Sequence, residues 1–356
     1  KLLLVMDDAT SYAAADVAND FTDWMVAVNR AYAPAGIHFT VDPDVQSFDM
    51  DDVNGTDATS PIDSQGNYTN CYNPDAESAL QELTEDLEAS HPNRLIVLVR
   101  QRGAGGCGSP ENDFVVMPPP RDSAKTGYRR DGSSFSLETN PKLFAHELGH
   151  FFVYANNPLE YRGESGALNE AMADLMDALV RGWFSTHHGD DIDSPSKYTR
   201  SFDDPPVRSQ PDRYHSPKKV TPEIDADYGG VHTNSGIVNK AHFLMARGGT
   251  FNGFNVVPLA ASVPEAAKAQ MRLVDGALMA HSFGEHSTLP QYAAGLLGFC
   301  HAQTAMWKGL GLAAIVSLMT VVIAQLSWRG WIAGIRSLLR GEGLLRDPGA
   351  VGKFSV

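Results

Sequence analysis

The sequence predicts an α+β chain of two lobes, a mixed α/β N-terminal lobe and a mainly helical C-terminal lobe, with a cleft between them. Three observations lead there. Short runs of β-formers alternate with amphipathic helices over the first 140 of the 356 residues. Past residue 142 helical periodicity takes over. Between the later helices, 185–231 is rich in Gly, Pro and Asp, and a loop that long in a compact protein is usually functional.

In chain order, the run at 2–6 reads as a strand. Val17, Phe21, Trp24, Val28 and Tyr32 then recur at helical spacing over 12–33, and Pro34 and Gly36 stop that helix. The stretch IHFTV at 37–41 reads as a second strand, and 42–74 as a long polar loop. An acidic helix is expected at 76–89, strands at 94–100 and 114–117, and a flexible turn at 103–108. The later helices are expected at 142–156, 165–182, 234–247, about 262–283 and 290–306. This divides the chain into 1–157, 158–308 and an apolar segment with a basic tail at 309–356.

Composition narrows the function classes. Hydrophobic residues make up 43% and charged residues 20%, a globular balance. A net charge of −15 repels phosphate backbones, so no nucleic-acid partner is expected. Three cysteines, Cys71, Cys107 and Cys300, are too few for a cysteine-ligated cluster; Cys71–Cys107 is the expected disulfide and Cys300 a buried thiol. No cleavable signal segment is expected at the start. Residues 309–328 carry no Asp, Glu, Lys or Arg and are followed by an excess of Arg, which makes them a candidate membrane anchor with the rest of the chain outside. A buried last helix is the other reading.

The chemistry gathers around FAHELGHFF at 144–152. His146 and His150 stand one helical turn apart and face the same way, so both imidazoles can reach one ion. Glu147 lies beside them, placed to act on water rather than to ligate. A structural histidine pair on a charged face has the same spacing. Zinc needs a third protein ligand and an open position. Asn156 stands where a nearby third histidine would be, and Val153 where that arrangement needs glycine. Glu170, 20 residues past His150 on a helix that can fold back, is the other option. Asp174, one turn on, is placed to orient a ligand imidazole, and Asn169 to serve the other. One Zn2+ held by His146, His150 and Glu170, with Glu147 left as general base, points to metal-assisted hydrolysis. Tyr161 and His232 are distant candidates for donors to a developing oxyanion. A lone histidine in YGGVHTNSG is otherwise a surface or structural residue.

With AHELGH, ESGALNEAMAD and YGGVHTNSGIVNKAHFL in this order, the stretch 141–247 resembles the thermolysin-like neutral zinc metalloproteases of the gluzincin class. LPQYAAGLLGFCHAQTAMWKG at 289–309 resembles that family's penultimate helix more weakly. The resemblance implies a zincin fold with its active-site cleft between the lobes. It implies an endopeptidase acting on peptides or proteins, on the amino side of apolar residues, outside the cytoplasm and as a monomer. Residue by residue, it makes His146, His150 and Glu170 zinc ligands, and Glu147, Tyr161 and His232 catalytic. Arg200 would contact the carbonyl past the scissile bond, Leu143 and Thr199 would line the neighbouring pocket, and Asp227 would orient His232. Asp174 and Asn169 would support the ligands.

Departures are equally specific. Two carboxylates that help the family hold a pair of calcium ions are Lys142 and Arg181 here, so the double calcium site is expected to be absent, with Asp190, Asp191 and Asp193 as partners of those cations. The family's Asn-Ala-Phe edge strand has no clear counterpart, and DFVVMPP is the expected substitute. The alternatives carried forward are a specialised processing peptidase or aminopeptidase, and a catalytically silent binding module on the same fold.

Overall fold

The computed structural model describes residues 1–7, 13–48, 85–99, 107–109, 114–117, 126–128, 134–136, 141–180, 186–188 and 200–302. The chain divides into two compact units, 1–152 with 189–198, and 153–188 with 199–356.

The first unit is built on a five-stranded sheet. Its strands are β1 (Leu2–Asp7), β2 (Gln46–Phe48), β3 (Leu95–Val99), β4 (Cys107–Ser109) and β5 (Phe114–Met117), in the order β2-β1-β3-β5-β4. The pairs β1–β2, β1–β3 and β3–β5 are parallel, whereas β4 lies antiparallel along β5 at the edge. Leu2 to Val5 and Ile96 to Val99 are fully buried, which explains why they read as continuous apolar runs rather than alternating ones. Two further short strands, β6 (Thr126–Tyr128) and β7 (Ser134–Ser136), form an antiparallel pair.

Two helices belong to this unit's core. Helix α1 (Ala14–Tyr32) buries Val17, Phe21, Met25, Val28 and Tyr32, a stripe at steps of three and four. Trp24, half-buried, packs on Phe21 at 4.8 Å and Phe144 at 6.4 Å, and Met25 is buried in addition. Helix α2 (Pro141–Asn156) carries the HELGH segment. Phe21 meets Phe144 edge to face at 5.1 Å, and the Tyr32 hydroxyl donates to the carbonyl of Ala145 at 2.7 Å. Burying a side chain of the size of Phe21 contributes about 1.5–3 kcal/mol, so this aromatic contact fixes α1 on α2.

Three expectations are corrected here. Residues 37–41 are not a strand; they reach β1 only through a single bridge, Leu2 to Val41. The cause is Asn29, whose side chain both donates to the Phe39 carbonyl (2.9 Å) and accepts from the Phe39 amide (2.7 Å). Those groups are then unavailable to a ladder, and pairing resumes past Pro43 at Gln46, inside the expected loop. The turn expected at 103–108 contributes Cys107 and Gly108 to a strand. Consequently FVVM at 114–117 is not an edge: β5 is paired on both sides, and β4 is the edge strand among the described residues. The expected helix at 76–89 is described only from residue 85, where the chain is helical to 90.

The second unit is helical. Helix α3 (Gly163–Leu179) is buried on all sides except at Glu164; apolar and small residues make up most of it, and Asn169, Glu170, Asp174 and Asp177 are among its buried polar side chains. Around it stand α4 (Asp227–Arg247), α5 (Val263–Met279) and α6 (Leu289–Ala302). The Ser262 side chain accepts from the Glu265 amide at the start of α5. Between α3 and α4 run a two-stranded pair, β8 (His187–His188) and β9 (Arg200–Ser201), and a 3-10 turn at Pro205–Arg208. A hairpin of β10 (Gly249–Phe251) and β11 (Phe254–Val256) follows α4. Cys300 is a buried free thiol. Cys71 and the 309–328 segment lie outside the described residues, as does the side chain of Cys107. Among the described residues no helix is long and apolar enough to cross a membrane.

Candidate metal centre

His146 and His150 lie on α2 with ring centroids 4.9 Å apart, the arrangement that one helical turn dictates. Glu170 lies on α3. One ligand atom from each of the three residues falls within 4.8 Å of the others, and all three side chains are buried. Two imidazoles and a carboxylate are the donor set of an open zinc site, and buried groups of this kind fit a cation far better than they fit one another alone. The third-ligand question thus resolves in favour of Glu170. Glu147 is also buried, with Oε2 4.0 Å from His150 Nε2.

The sheet edge approaches the same helix. A Cβ on Gly108 of β4 would lie 2.9 Å from the Glu147 carbonyl oxygen and 3.5 Å from His150 Cβ. No larger residue fits that approach without movement. Leu143, in the first turn of α2, is half-buried, and Lys142 beside it is buried.

Within the second unit, a polar chain surrounds Glu170. The Tyr161 hydroxyl donates to Glu170 Oε1 and lies 3.2 Å from His232 Nε2. His232 Nε2 is 3.3 Å from Glu170 Oε1, and its Nδ1 is 2.6 Å from Asp227 Oδ1. Asp227 also accepts from the amide and hydroxyl of Thr233. With Nδ1 donating to Asp227, Nε2 is the ring nitrogen that faces the site. Burial pulls the His232 pKa down, but the Glu170 charge and the Asp227 bond outweigh it, and the net shift is upward. Burial alone would raise Asp227; the bonds from His232 and Thr233 instead hold it below the usual carboxylate range.

Arg200 enters from β9 and is buried. It donates to Asp174 Oδ1 at 2.6 Å and lies 3.5 Å from Glu170 Oε2. The other Asp174 oxygen accepts from Asn239 of α4 at 2.7 Å. Asn169 is buried on α3. The structure therefore brings Tyr161, Glu170, Asp174, Arg200, Asp227 and His232 into one set linked by hydrogen bonds and ion pairs. Thr199, Arg181, Asp190, Asp191 and Asp193 lie outside the described residues.

Four contributors were not read from the sequence. Gln210 donates to the His232 carbonyl at 2.6 Å, Asn239 braces Asp174, Thr233 completes the cradle of Asp227, and Gly108 admits the edge strand. Asn239 had a legible signal: it lies seven residues past His232, two turns along the same helix face. Gln210 and Gly108 sit in segments without periodicity, and no local pattern marks them.

Comparison with known proteins agrees with this geometry. Residues 157–274 match the family described as thermolysin metallopeptidase, alpha-helical domain. Bacillolysin of Bacillus cereus is 41% identical over 134 residues, 35% of this chain and 23% of its own length. Bacillolysin of Brevibacillus brevis is 42% identical over 132 residues, 35% of this chain and 24% of its own. The chain thus spans about a quarter of the length of these curated relatives. Among solved structures, the precursor of protealysin, a metalloproteinase from Serratia proteamaculans, aligns with a TM-score of 0.50 at 15% identity, covering 90% of this chain and 87% of that one. At that identity the likeness concerns the fold alone: a mixed α/β part followed by a helical part.

Proposed function

We propose, from the premise that this chain belongs through its zinc-binding segment to the thermolysin-like (gluzincin) zinc metalloprotease family, that it is a zinc-dependent endopeptidase cleaving internal bonds of peptides or proteins. The observation that carries the reading is the buried triad His146, His150 and Glu170 with Glu147 on the same helix turn. A zinc ion in that triad supplies Lewis acidity toward a water and the scissile carbonyl. Glu147 then acts as general base, taking a proton from the attacking water and returning it to the leaving amine. Tyr161 and His232 donate hydrogen bonds to the carbonyl oxygen as negative charge builds on it. Asp227, accepting from Nδ1, favours the protonated imidazolium, whose Nε2–H is the donor this role needs. Arg200, Asp174 and Asn239 keep the Glu170 carboxylate in place, and Asn169 serves a ligand histidine.

A preference for an apolar residue after the cut belongs to the same proposal. Half-buried Leu143 on α2 supports it, and the polar Thr199, just before Arg200 in the sequence, softens it. Action outside the cytoplasm and as a monomer is proposed on the likeness to the neutral proteases.

Internally quenched peptides with blocked and free N-termini test the reading. The zinc-loaded parent is expected to cleave the blocked peptide, and Glu147→Gln to lose roughly 10²–10⁴-fold in kcat while retaining zinc. Cleavage restricted to free N-termini would make it an aminopeptidase. Stoichiometric zinc without any cleavage would make it a binding module. A Glu147→Gln variant as fast as the parent would overturn the mechanism.

A further inference from the structure

The segment that delivers His232 to the site has an unusual backbone. Four consecutive residues are left-handed: Asp227 (φ 57), Tyr228 (φ 48), Gly229 (φ 81) and Gly230 (φ 86). Glycine adopts this conformation freely, and Gly230 is needed for space as well, because a Cβ there would lie 2.6 Å from Val220 Cβ. Aspartate tolerates it, and Asp227 is repaid by its bonds to His232 and Thr233. Tyrosine is a poor choice for such a φ, and local backbone strain of this kind persists where something else over-determines it.

Core burial does not compensate Tyr228, which is 55% exposed. Its ring instead meets the ring of Tyr161, with centroids 5.8 Å apart at 63°. The Tyr161 ring also meets the ring of His232 at 6.3 Å and 77°. Tyr161 stands in the bend just before α3 and is itself exposed, so its ring would sweep a wide arc without neighbours. Contact with Tyr228 and His232 narrows that arc while the hydroxyl meets Glu170 Oε1 and His232 Nε2.

We propose that Tyr228 is a positioning residue, which accepts a strained backbone in order to hold the Tyr161 ring with its hydroxyl aimed into the site. The proposal rests on the endopeptidase reading for its kinetic consequence, but not for its structural one. The hydroxyl of Tyr161 acts on the transition state, so loosening it lowers kcat more than it changes KM.

Tyr228→Gly separates positioning from ordinary stabilisation, because glycine relieves the strain while removing the ring. The expected result is a melting midpoint equal to or above that of the parent, together with a fall in kcat of about tenfold and KM within about twofold. Tyr228→Phe keeps the ring and is expected to recover most of that loss. Tyr228→Gly turning over at the parent rate overturns the proposal. So does a melting midpoint that drops along with activity, or a Tyr228→Phe variant as impaired as Tyr228→Gly. A second readout needs no catalysis: ring resonances of 13C-labelled Tyr161, assigned with Tyr161→Phe, are expected to shift and broaden in Tyr228→Gly but not in Tyr228→Phe. Unmoved resonances in both variants overturn the proposal even if the parent cleaves no peptide at all. A parent without cleavage but with the expected resonance shifts sinks the enzyme reading and leaves the positioning role standing.

Discussion

Arg200 lies buried against two carboxylates, Asp174 at 2.6 Å and Glu170 at 3.5 Å. Burial works against its charge, but the two carboxylates more than restore it, and the guanidinium stays protonated. The residue expected to meet substrate is thus also a brace for a metal ligand. A few positions away from this network, His242 of α4 is a buried imidazole that the reaction does not use. Its Nε2 is 3.0 Å from the Tyr292 hydroxyl, and burial pushes its pKa down to about 3 in spite of the Asp174 charge. The folded state therefore keeps His242 neutral where the unfolded chain takes up a proton. The sign follows: His242 leaves stability intact above its unfolded pKa of 6.5, and stability is lost as pH falls from there toward about 3. His242→Gln can still bond to Tyr292 but cannot titrate. In urea melts, the parent is expected to lose stability relative to His242→Gln at about 1.4 kcal/mol per pH unit below pH ~6. Parallel pH profiles for the two chains would show that His242 is protonated as readily when folded.

At the scale of elements, the approach of β4 to α2 places the sheet edge beside the zinc histidines. Gly108→Ala puts a Cβ 2.9 Å from the Glu147 carbonyl oxygen, a backbone atom that cannot rotate away. Either the strand or the helix must shift, so zinc affinity and activity are expected to fall together, with a loss of about 1–3 kcal/mol of stability typical of overpacking. Isothermal titration with Zn2+ and a denaturant melt check this, and a variant with parental affinity and stability would contradict it. This contact also marks where sequence reading stops. The helices were legible because their cores repeat at three and four residues, as Val17, Phe21 and Val28 do in α1 and the HELGH pair does in α2. The ligand Glu170 was legible because a carboxylate in an otherwise apolar helix has no solvent to face. The edge strand was not: Cys107, Gly108 and Ser109 have no strand periodicity, and their place is set by pairing to β5. Residues 37–41 failed in the opposite direction. Their β-forming pattern is real, but one side chain, Asn29, takes the hydrogen bonds a strand would use.

For the whole molecule, a metal bound by the triad would tie two helices, α2 and α3, to one ion. His146 and His150 come from α2 and Glu170 from α3, so an ion bound to all three favours the folded chain over the unfolded by mass action. At a free concentration 1,000 times the dissociation constant this amounts to about 4 kcal/mol. Calcium should have no such hold. Lys142 occupies the first turn of α2 and is buried, and Arg181 follows α3 in the sequence; two cations in these places oppose a divalent ion and offer no oxygen ligands. Thermal melts of the full chain can distinguish the two ions. Removing zinc with a tight chelator is expected to lower the melting midpoint by several degrees, and adding back zinc, but not calcium, to restore it. With zinc held saturating, a calcium-selective chelator is expected to leave the midpoint where it was. A large drop in that last measurement would mean that calcium braces this chain in spite of Lys142 and Arg181. Lys142→Asp gives the converse: if the missing carboxylates are what exclude calcium, restoring one of the pair should make stability begin to respond to added calcium.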